Sequence, residues 1–359
     1  MGECCSNITG PDIFVKVLSS GLNDYNYDIT VVTNINNLPY IQNIEGIKIQ
    51  KSDSYQFSNK YINNIYKILY LWKTLLKVNC NIYISYPGLG AGIFCKLFNK
   101  KFICHIASDA IVDKNLITRE IKDFSKQNFN PSRIFNNLDI ILADVIVVQN
   151  QFQKNILIKN FSKKEIVVIS NPIKIIDVHE QLSSDPAIIL WVGSIHDVKQ
   201  PCLFLRIAKR IQNAKFIMIA GHSGDDQLYK KIELGSKKLR NFEFIGLVPH
   251  EKILWFYQKA AILVNTSVFE GFPNAFLEAW MCKVPVVSLN TDPDEIICMK
   301  KMGFHSRSFE TLISDIFILL NNKNLRKEFG ENGRKYVKDN HDITIFFKKY
   351  IEMIDTYIL

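Results

Sequence analysis

The sequence predicts an α/β protein built from two doubly wound domains, and three observations carry that prediction. Short β-branched apolar runs alternate with amphipathic helical stretches along the chain. The runs are continuously apolar, as strands buried on both faces of a parallel sheet are. The alternation also plays out twice, on either side of a polar, turn-rich seam, "NPIKIIDVHEQLSSDPA" at 171–187. In the first half, "DITVVT" (28–33), "NIYISY" (81–86), "KFICHI" (101–106), "DVIVVQ" (144–149) and "IVVISN" (166–171) read as strands. In the second, "AIILWVG" (187–193), "KFIMIAG" (215–221), "FEFIG" (242–246), "AILVNTS" (261–267) and "VPVVSL" (284–289) do the same. No low-complexity tract or short repeat accompanies this architectural duplication.

Composition narrows the class. With 359 residues, 47% hydrophobic and 22% charged, the chain is long enough for two full cores and too apolar for disorder. No apolar run approaches the roughly eighteen residues a membrane span needs. The opening "MGECCSNITG" has neither the basic start nor the apolar core of a signal peptide, so a cytoplasmic protein is expected. Eight cysteines show no C-x-x-C spacing and sit mostly among apolar neighbours. They read as free thiols, with neither disulfides nor zinc.

The net charge of +9 is uneven, since residues 51–100 hold seven lysines against the single acid Asp53. Within them, residues 60–77 have helical period, with Ile62, Ile65, Ile68, Leu69, Trp72, Leu75 and Leu76 as the expected core face. The opposite side carries Lys60, Tyr66, Lys67, Tyr70, Lys73 and Lys77. That strip suits either solvent or the headgroups of an anionic membrane surface. It lacks arginine and any nucleic-acid-binding motif, so nucleic acid is not an expected partner.

In doubly wound folds ligands sit at the carboxyl ends of the strands. After "ILWVG" comes "SIHDVKQP", with Lys199 at a loop-to-helix transition and Asp197 as the expected N-cap. After "FIMIAG" comes "HSGDD", after "FEFIG" comes "LVPHEK", and after "ILVNTS" comes "VFEGFPNAFLEAW". In this last stretch Pro273 and Asn274 suit a helix start, with Asn274 able to cap. The exposed N–H groups and positive dipole end there make a site for a diphosphate. Glu278, one turn inside, can accept both hydroxyls of a ribose, which leaves Glu270 facing a sugar.

The pair Glu270 and Glu278, followed by "AWMCKVPVVSL", resembles the Glu-seven residues-Glu signature of retaining family 4 glycosyltransferases of the two-domain GT-B type. "LWVGSIHDVKQP", "NFEFIGLVPHEKILWFYQKAAILVNTS", "SLNTDPDEII" and "RKEFGENGRKYVKDNH" are similar to further family segments, so the resemblance covers almost the whole chain. It implies two Rossmann-like domains facing across a cleft. An acceptor-binding domain would span 1–175, a nucleotide-sugar-binding domain 183–340, and a C-terminal helix at 341–359 would pack back on the first. The resemblance also implies roles. Glu278 would bind the ribose, Phe272, Asn274 and Ala275 would frame diphosphate and sugar through backbone contacts, and Lys199 would neutralise the diphosphate. Glu270 would stabilise the oxocarbenium-like sugar. Gly193 and Ser194 would lie at the diphosphate, and Gly246 and Leu247 near the base. The departing phosphate would take the acceptor proton, so no protein nucleophile, cofactor or metal is expected.

Two departures from the family pattern matter. Its arginine directly after "VG" is Ser194 here; His196 or His222 could replace it, with a structural or solvated histidine as the favoured reading for either. Its first strand is missing, because "MGECCSNITGPDIF" opens on the loop that should follow that strand, which implies a truncated or misassigned start. On the acceptor side the resemblance points to Gly10 in that loop and to His105 and Asp109 in "HIASDA". The competing readings there are core packing for His105 and helix capping for Asp109. The function implied is transfer of a hexose from a nucleotide-diphosphate sugar to a glycan or lipid-linked acceptor, with retention, in polysaccharide or glycolipid assembly. The protein would work in the cytoplasm, at the inner face of the plasma membrane. The alternatives are an inactive glycosyltransferase-like partner protein and a nucleotide-sugar epimerase.

Overall fold

The computed structural model describes residues 10–33, 41–44, 46–52, 60–112, 131–161, 164–178, 185–222 and 224–358. Two compact units result, one comprising Thr9–Ser170 with Phe346–Leu359 and the other Asn171–Ile345.

In the N-terminal unit the elements are α1 (Gly10–Asp24), β1 (Thr30–Thr33), β2 (Ile41–Ile44), β3 (Ile47–Lys51), α2 (Lys60–Val78), β4 (Ile82–Ser85), α3 (Ala91–Leu97), β5 (Lys101–Ile106), α4 (Asp109–Val112), α5 (Pro131–Leu142), β6 (Val145–Val148), α6 (Gln151–Asn160) and β7 (Glu165–Val168). Strands β4, β5, β6 and β7 form one parallel sheet in that order. Its middle is dry: Phe102, Ile103, Cys104 and Ile106 of β5 and all four residues of β6 are fully buried. A second, three-stranded sheet runs β1, β3, β2, with β1 parallel and β2 antiparallel to β3. No strand precedes α1 among the described residues, and β1 and β4 each end their sheet.

The C-terminal unit holds β8 (Ile188–Ile195), α7 (Pro201–Arg210), β9 (Lys215–His222), α8 (Asp226–Ser236), β10 (Phe242–Phe244), α9 (His250–Lys259), β11 (Ala260–Asn265), α10 (Asn274–Met281), β12 (Val286–Ser288), α11 (Ile296–Met299), β13 (Gly303–His305), α12 (Phe309–Asn321), α13 (Lys323–Asn340) and the start of α14 (Ile343–Tyr357). Its six strands are parallel in the order β10, β9, β8, β11, β12, β13. Counted from β8, this is the 3-2-1-4-5-6 order of a Rossmann domain, with the topological switch between β8 and β11. Side chains alternate across the sheet, apart from an irregularity in β11 between Ala260 and Ile262. Ile189, Trp191, Phe216, Met218, Ile262 and Val264 join one core layer with α7, α8 and α12. Leu190, Ile217, Ile219 and Leu263 join the other with α9, α10 and α13.

Helix α10 is clamped from below by α13. A Cβ on Gly333 would stand 2.5 Å from Trp280 Cδ1, so only glycine allows this approach. The neighbouring Arg334 is buried and donates to the carbonyls of Met281, at the α10 C-terminus, and Ile176. A cation at that end complements the helix dipole.

All ten strands read from the sequence are present. The β2–β3 hairpin and β13 were not anticipated, since "IQNIEGIKIQ" mixes polar with apolar residues and "GFH" carries no β-branched residue. Helix α2 is also rotated relative to its expected face. Leu69 and Leu76 are 51% and 49% exposed, whereas Thr74 and Leu75 are buried. Trp72 sets this rotation by donating its indole N–H to the Gly90 carbonyl at 3.2 Å. The side chains of Ile62 and Ile65 lie outside the described set. The six cysteines within it are free thiols. No described helix is long and apolar enough to cross a membrane.

Candidate active site

The ends of β8 and β11 flank the switch point, and two loops meet there. After β8, His196 accepts the Val198 N–H on Nδ1 at 3.2 Å and starts a 3-10 turn over Asp197–Lys199. The N-cap is therefore His196; Asp197, expected in that role, is the first residue of the turn. The turn is bolted to the β11 loop. Thr266 donates its hydroxyl to the Lys199 carbonyl at 2.6 Å and accepts the buried Trp191 indole N–H at 3.0 Å. The Val268 N–H reaches the Val198 carbonyl at 2.8 Å.

These bonds aim Lys199 at Glu270, and Nζ makes an ion pair with Glu270 Oε1. The side chains are 28% and 14% exposed, so the pair is sheltered but open on one side. The same oxygen accepts the Ser267 hydroxyl at 2.6 Å. Ser267 in turn accepts from Asn265 Nδ2 at 3.2 Å, and Asn290 donates to the Ser267 carbonyl at 3.1 Å. Glu270 is thus held by a network anchored on the end of β11.

Four residues after Glu270, α10 begins. Its N-cap is Pro273, and no side chain caps it. Asn274, expected to cap, is the first helical residue. Its Oδ1 accepts from Asn171 Nδ2 at 2.8 Å, and the same Nδ2 donates to the Phe272 carbonyl at 2.9 Å. A helix start without a side-chain cap keeps its positive dipole end for a ligand. Glu278 follows one turn on. Its inner side faces Tyr257, whose phenol is pushed well up by burial and then by the Glu278 carboxylate. Burial, followed by Glu278, likewise pushes the Cys282 thiol up to about 12.

Gly193 and Ser194 lie within β8, opposite Ala220 and Gly221 of β9. Ser194 is therefore a strand residue, whereas the sequence placed it directly after the strand. Neither candidate replacement for the arginine is unengaged. His196 caps its turn, and His222 accepts the Gly224 N–H at 3.0 Å and pairs with Asp226 at 2.9 Å. At the far side Gly246 accepts the Ala220 N–H at 3.0 Å, and Leu247 is 46% exposed. Beyond β12, Asp294 and Glu295 both take left-handed backbone at φ 51° and 59°. Consecutive non-glycine residues there store strain of the kind that clusters at functional sites.

The acceptor-side residues fall in the N-terminal unit. His105 is buried, its Nε2 is 3.0 Å from Tyr350 Oη and its ring stacks on that of Tyr350. This is core packing, and it corrects the expectation of a ligand-facing imidazole. Asp109 heads α4, where its Oδ1 accepts from Gln153 Nε2 at 2.8 Å and Asn150 Nδ2 at 3.3 Å. Gly10 is the first residue of α1, and the loop before it lies outside the described residues. The glycine-rich turn after β4 has the look of an anion cradle, but it is filled from within. Asp139 of α5 accepts the N–H groups of Gly88, Leu89, Gly90 and Gly92 at 2.8–3.2 Å.

Of the residues named from the sequence, Lys199 and Glu270 are brought together and Glu278 stands one turn into α10, while Thr266, Ser267, Trp191, Tyr257 and Asn171, which touch them or their neighbours, were not anticipated. Only Ser267 left a signal, as a hydroxyl three residues ahead of Glu270 at a strand end. Among the described residues no group of three or more His, Cys, Asp or Glu side chains converges as a metal cage.

Residues 173–336 match the family described as Glycosyl transferases group 1. A glycosyltransferase of Methanocaldococcus jannaschii, itself uncharacterised, is 25% identical over 98% of this chain and 94% of its own length. The amylovoran biosynthesis glycosyltransferase AmsD of Erwinia amylovora is 26% identical over 91% and 90%. Among solved structures, the sucrose-phosphate synthase of Thermosynechococcus elongatus superposes with a TM-score of 0.82 at 15% identity, over 98% of this chain and 94% of that one. The fold is the GT-B pair of Rossmann-like domains.

Proposed function

We propose that this chain is a glycosyltransferase of group 1 that moves a hexose from a nucleotide-diphosphate sugar to a glycan or lipid-linked acceptor with retention of configuration, in polysaccharide or glycolipid assembly. The observation that carries the reading is the Lys199–Glu270 pair at the switch point, four residues ahead of an uncapped helix start.

In this reading the diphosphate lies at the start of α10, against the N–H groups of Asn274 and Ala275 and near Phe272, Gly193 and Ser194. Lys199 is shared between it and Glu270. The Glu278 carboxylate accepts the ribose hydroxyls, and the base lies towards Gly246 and Leu247. As the bond from the sugar C1 to the phosphate oxygen breaks, charge grows on the leaving group. Lys199 and the helix dipole stabilise it, a kind of contribution worth about 3–4 kcal/mol per well-placed donor. Glu270 stabilises the positive charge left on the sugar. The acceptor hydroxyl attacks from the face the phosphate leaves, and the phosphate oxygen takes its proton. With cationic groups already at the diphosphate, the chemistry needs neither a metal nor a cofactor, and full activity in chelator is expected.

The same reading places the protein in the cytoplasm at the inner face of the plasma membrane, with a membrane surface as second partner through residues 60–77. A second reading, an inactive partner protein, is favoured by Ser194, since His196 and His222 are engaged elsewhere. An epimerase would turn over donor without acceptor.

Proton NMR of slow donor hydrolysis in chelator separates these readings. An α-linked donor is expected to release the α-anomer first. Release of the β-anomer first would contradict retention, epimerised donor would point to the epimerase, and no turnover by protein that binds the diphosphate would favour the inactive partner.

A further inference from the structure

We propose that Asn171 is a positioning residue for the diphosphate: it holds the side chain of Asn274 away from the start of α10, so that the N–H groups there stay open to the ligand. The inference rests on the reading that a diphosphate lies at this helix start. Asn171 is buried, and its amide nitrogen has a hydrogen for each of two partners. It donates to the Phe272 carbonyl at 2.9 Å and to Asn274 Oδ1 at 2.8 Å. The two acceptors flank Pro273, which has no N–H of its own with which to tie the turn. A single side chain therefore fixes both sides of the residue at which α10 begins.

Asn171 is itself fixed from behind. Its carbonyl lies 2.8 Å from Nδ1 of His341, and since a carbonyl only accepts, Nδ1 carries the proton. His341 is buried, closes the C-terminus of α13 and packs its ring against Phe272, with centroids 4.6 Å apart, and against Tyr336. The Ile173 N–H donates to the His341 carbonyl at 2.8 Å, and the Ile343 N–H to the Ile173 carbonyl at 3.2 Å. Asn171 thus stands on two backbone-paired segments. This support matters because of what Asn274 does without it. Asparagine side chains close readily on nearby backbone N–H groups, and the start of α10 offers such donors with no side-chain cap on them. Asn274 and Ala275 are only half-buried, so these donors lie on the open side of the turn. An Asn274 amide released from Asn171 competes with phosphate oxygens for the same groups.

The test compares a diphosphate with its nucleoside. Whichever of UDP, GDP, ADP, CDP and dTDP binds the unmodified protein is titrated calorimetrically into Asn171→Ala. The matching nucleoside, which carries the ribose but no phosphate, is followed by saturation-transfer NMR. Asn171→Ala is expected to weaken the diphosphate about tenfold or more, the equivalent of about one hydrogen bond to a phosphate, and to leave the nucleoside unchanged. Asn274→Ala added to Asn171→Ala is expected to recover most of the loss, since the competing amide is then gone. Unchanged diphosphate affinity in Asn171→Ala overturns the proposal. Equal weakening of diphosphate and nucleoside overturns it too, because that marks a role in folding alone, and so does a double variant that binds no better than the single one. In each of these cases the unmodified protein still binds the diphosphate, so the reading of the site stands and the inference alone falls. If the unmodified protein binds none of the diphosphates, both fall together.

Discussion

At His105 the imidazole is enclosed by Phe14, Tyr86 and Tyr350, and burial pushes its pKa from 6.5 down to about 3. In the unfolded chain the ring takes a proton near pH 6.5, so between there and pH 3 the unfolded state binds more protons than the folded one. Stability from this group is therefore complete above the unfolded value and lost as pH falls through the window, by up to about 1.4 kcal/mol per pH unit. Urea midpoints of the unmodified protein are expected to drop between neutral pH and about pH 5 by more than those of His105→Gln. Identical pH dependence in the two would contradict the assignment. The same residue shows a limit of sequence reading. "HIASDA" places a histidine and an aspartate at a strand end, but only the packed helix α14, 245 residues away, reveals that Tyr350 has taken the ring. The placement of Lys199, Glu270 and Glu278 was legible because it follows from strand ends and a helix start. Thr266 and Tyr257 were not, since their partners, Lys199 and Glu278, come from other elements at no fixed spacing, and Ser267 left only its three-residue spacing to Glu270.

Among the elements, α10 and α13 carry the site. Helix α10 presents Glu278 above and Trp280 below, and Gly330 and Gly333 let α13 approach until Trp280 and the Lys283 backbone fill the glycine positions. Two effects of Gly333→Ala oppose each other. Helix propensity favours alanine by about 1 kcal/mol. Overpacking against Trp280, at 2.5 Å, costs about 1–3 kcal/mol and more if the ring cannot turn. The variant is expected to melt lower, with nucleotide affinity reduced because Glu278 shifts with its helix. A rise in melting temperature would show that propensity wins and that the crossing is slack. At this scale the ten strands were legible from their short, mostly apolar runs between helical stretches. The face of α2 was not. Periodicity located its apolar residues, but the bond from Trp72 to Gly90 chose which of them would turn inward.

For the molecule as a whole, the duplication read in the sequence corresponds to two units, and the sheet order of the second explains why its site lies where it does. The 3-2-1-4-5-6 order puts the ends of β8 and β11 side by side, so residues 67 positions apart, Thr266 and Lys199, can bond. Sequence gives the strands but not their order, and the ion pair exists only because of that order. The central claim, that this arrangement binds a nucleoside diphosphate, is tested most directly by a thermal-shift screen of UDP, GDP, ADP, CDP and dTDP. Glu278→Ala and Lys199→Ala are run beside the unmodified protein. At about a hundred times its dissociation constant the right nucleotide stabilises by ~2.7 kcal/mol, a shift of roughly 2–4 °C. The account predicts that one nucleotide gives such a shift and that both variants lose it. No shift with any of the five, or a shift that survives in Glu278→Ala, would contradict it.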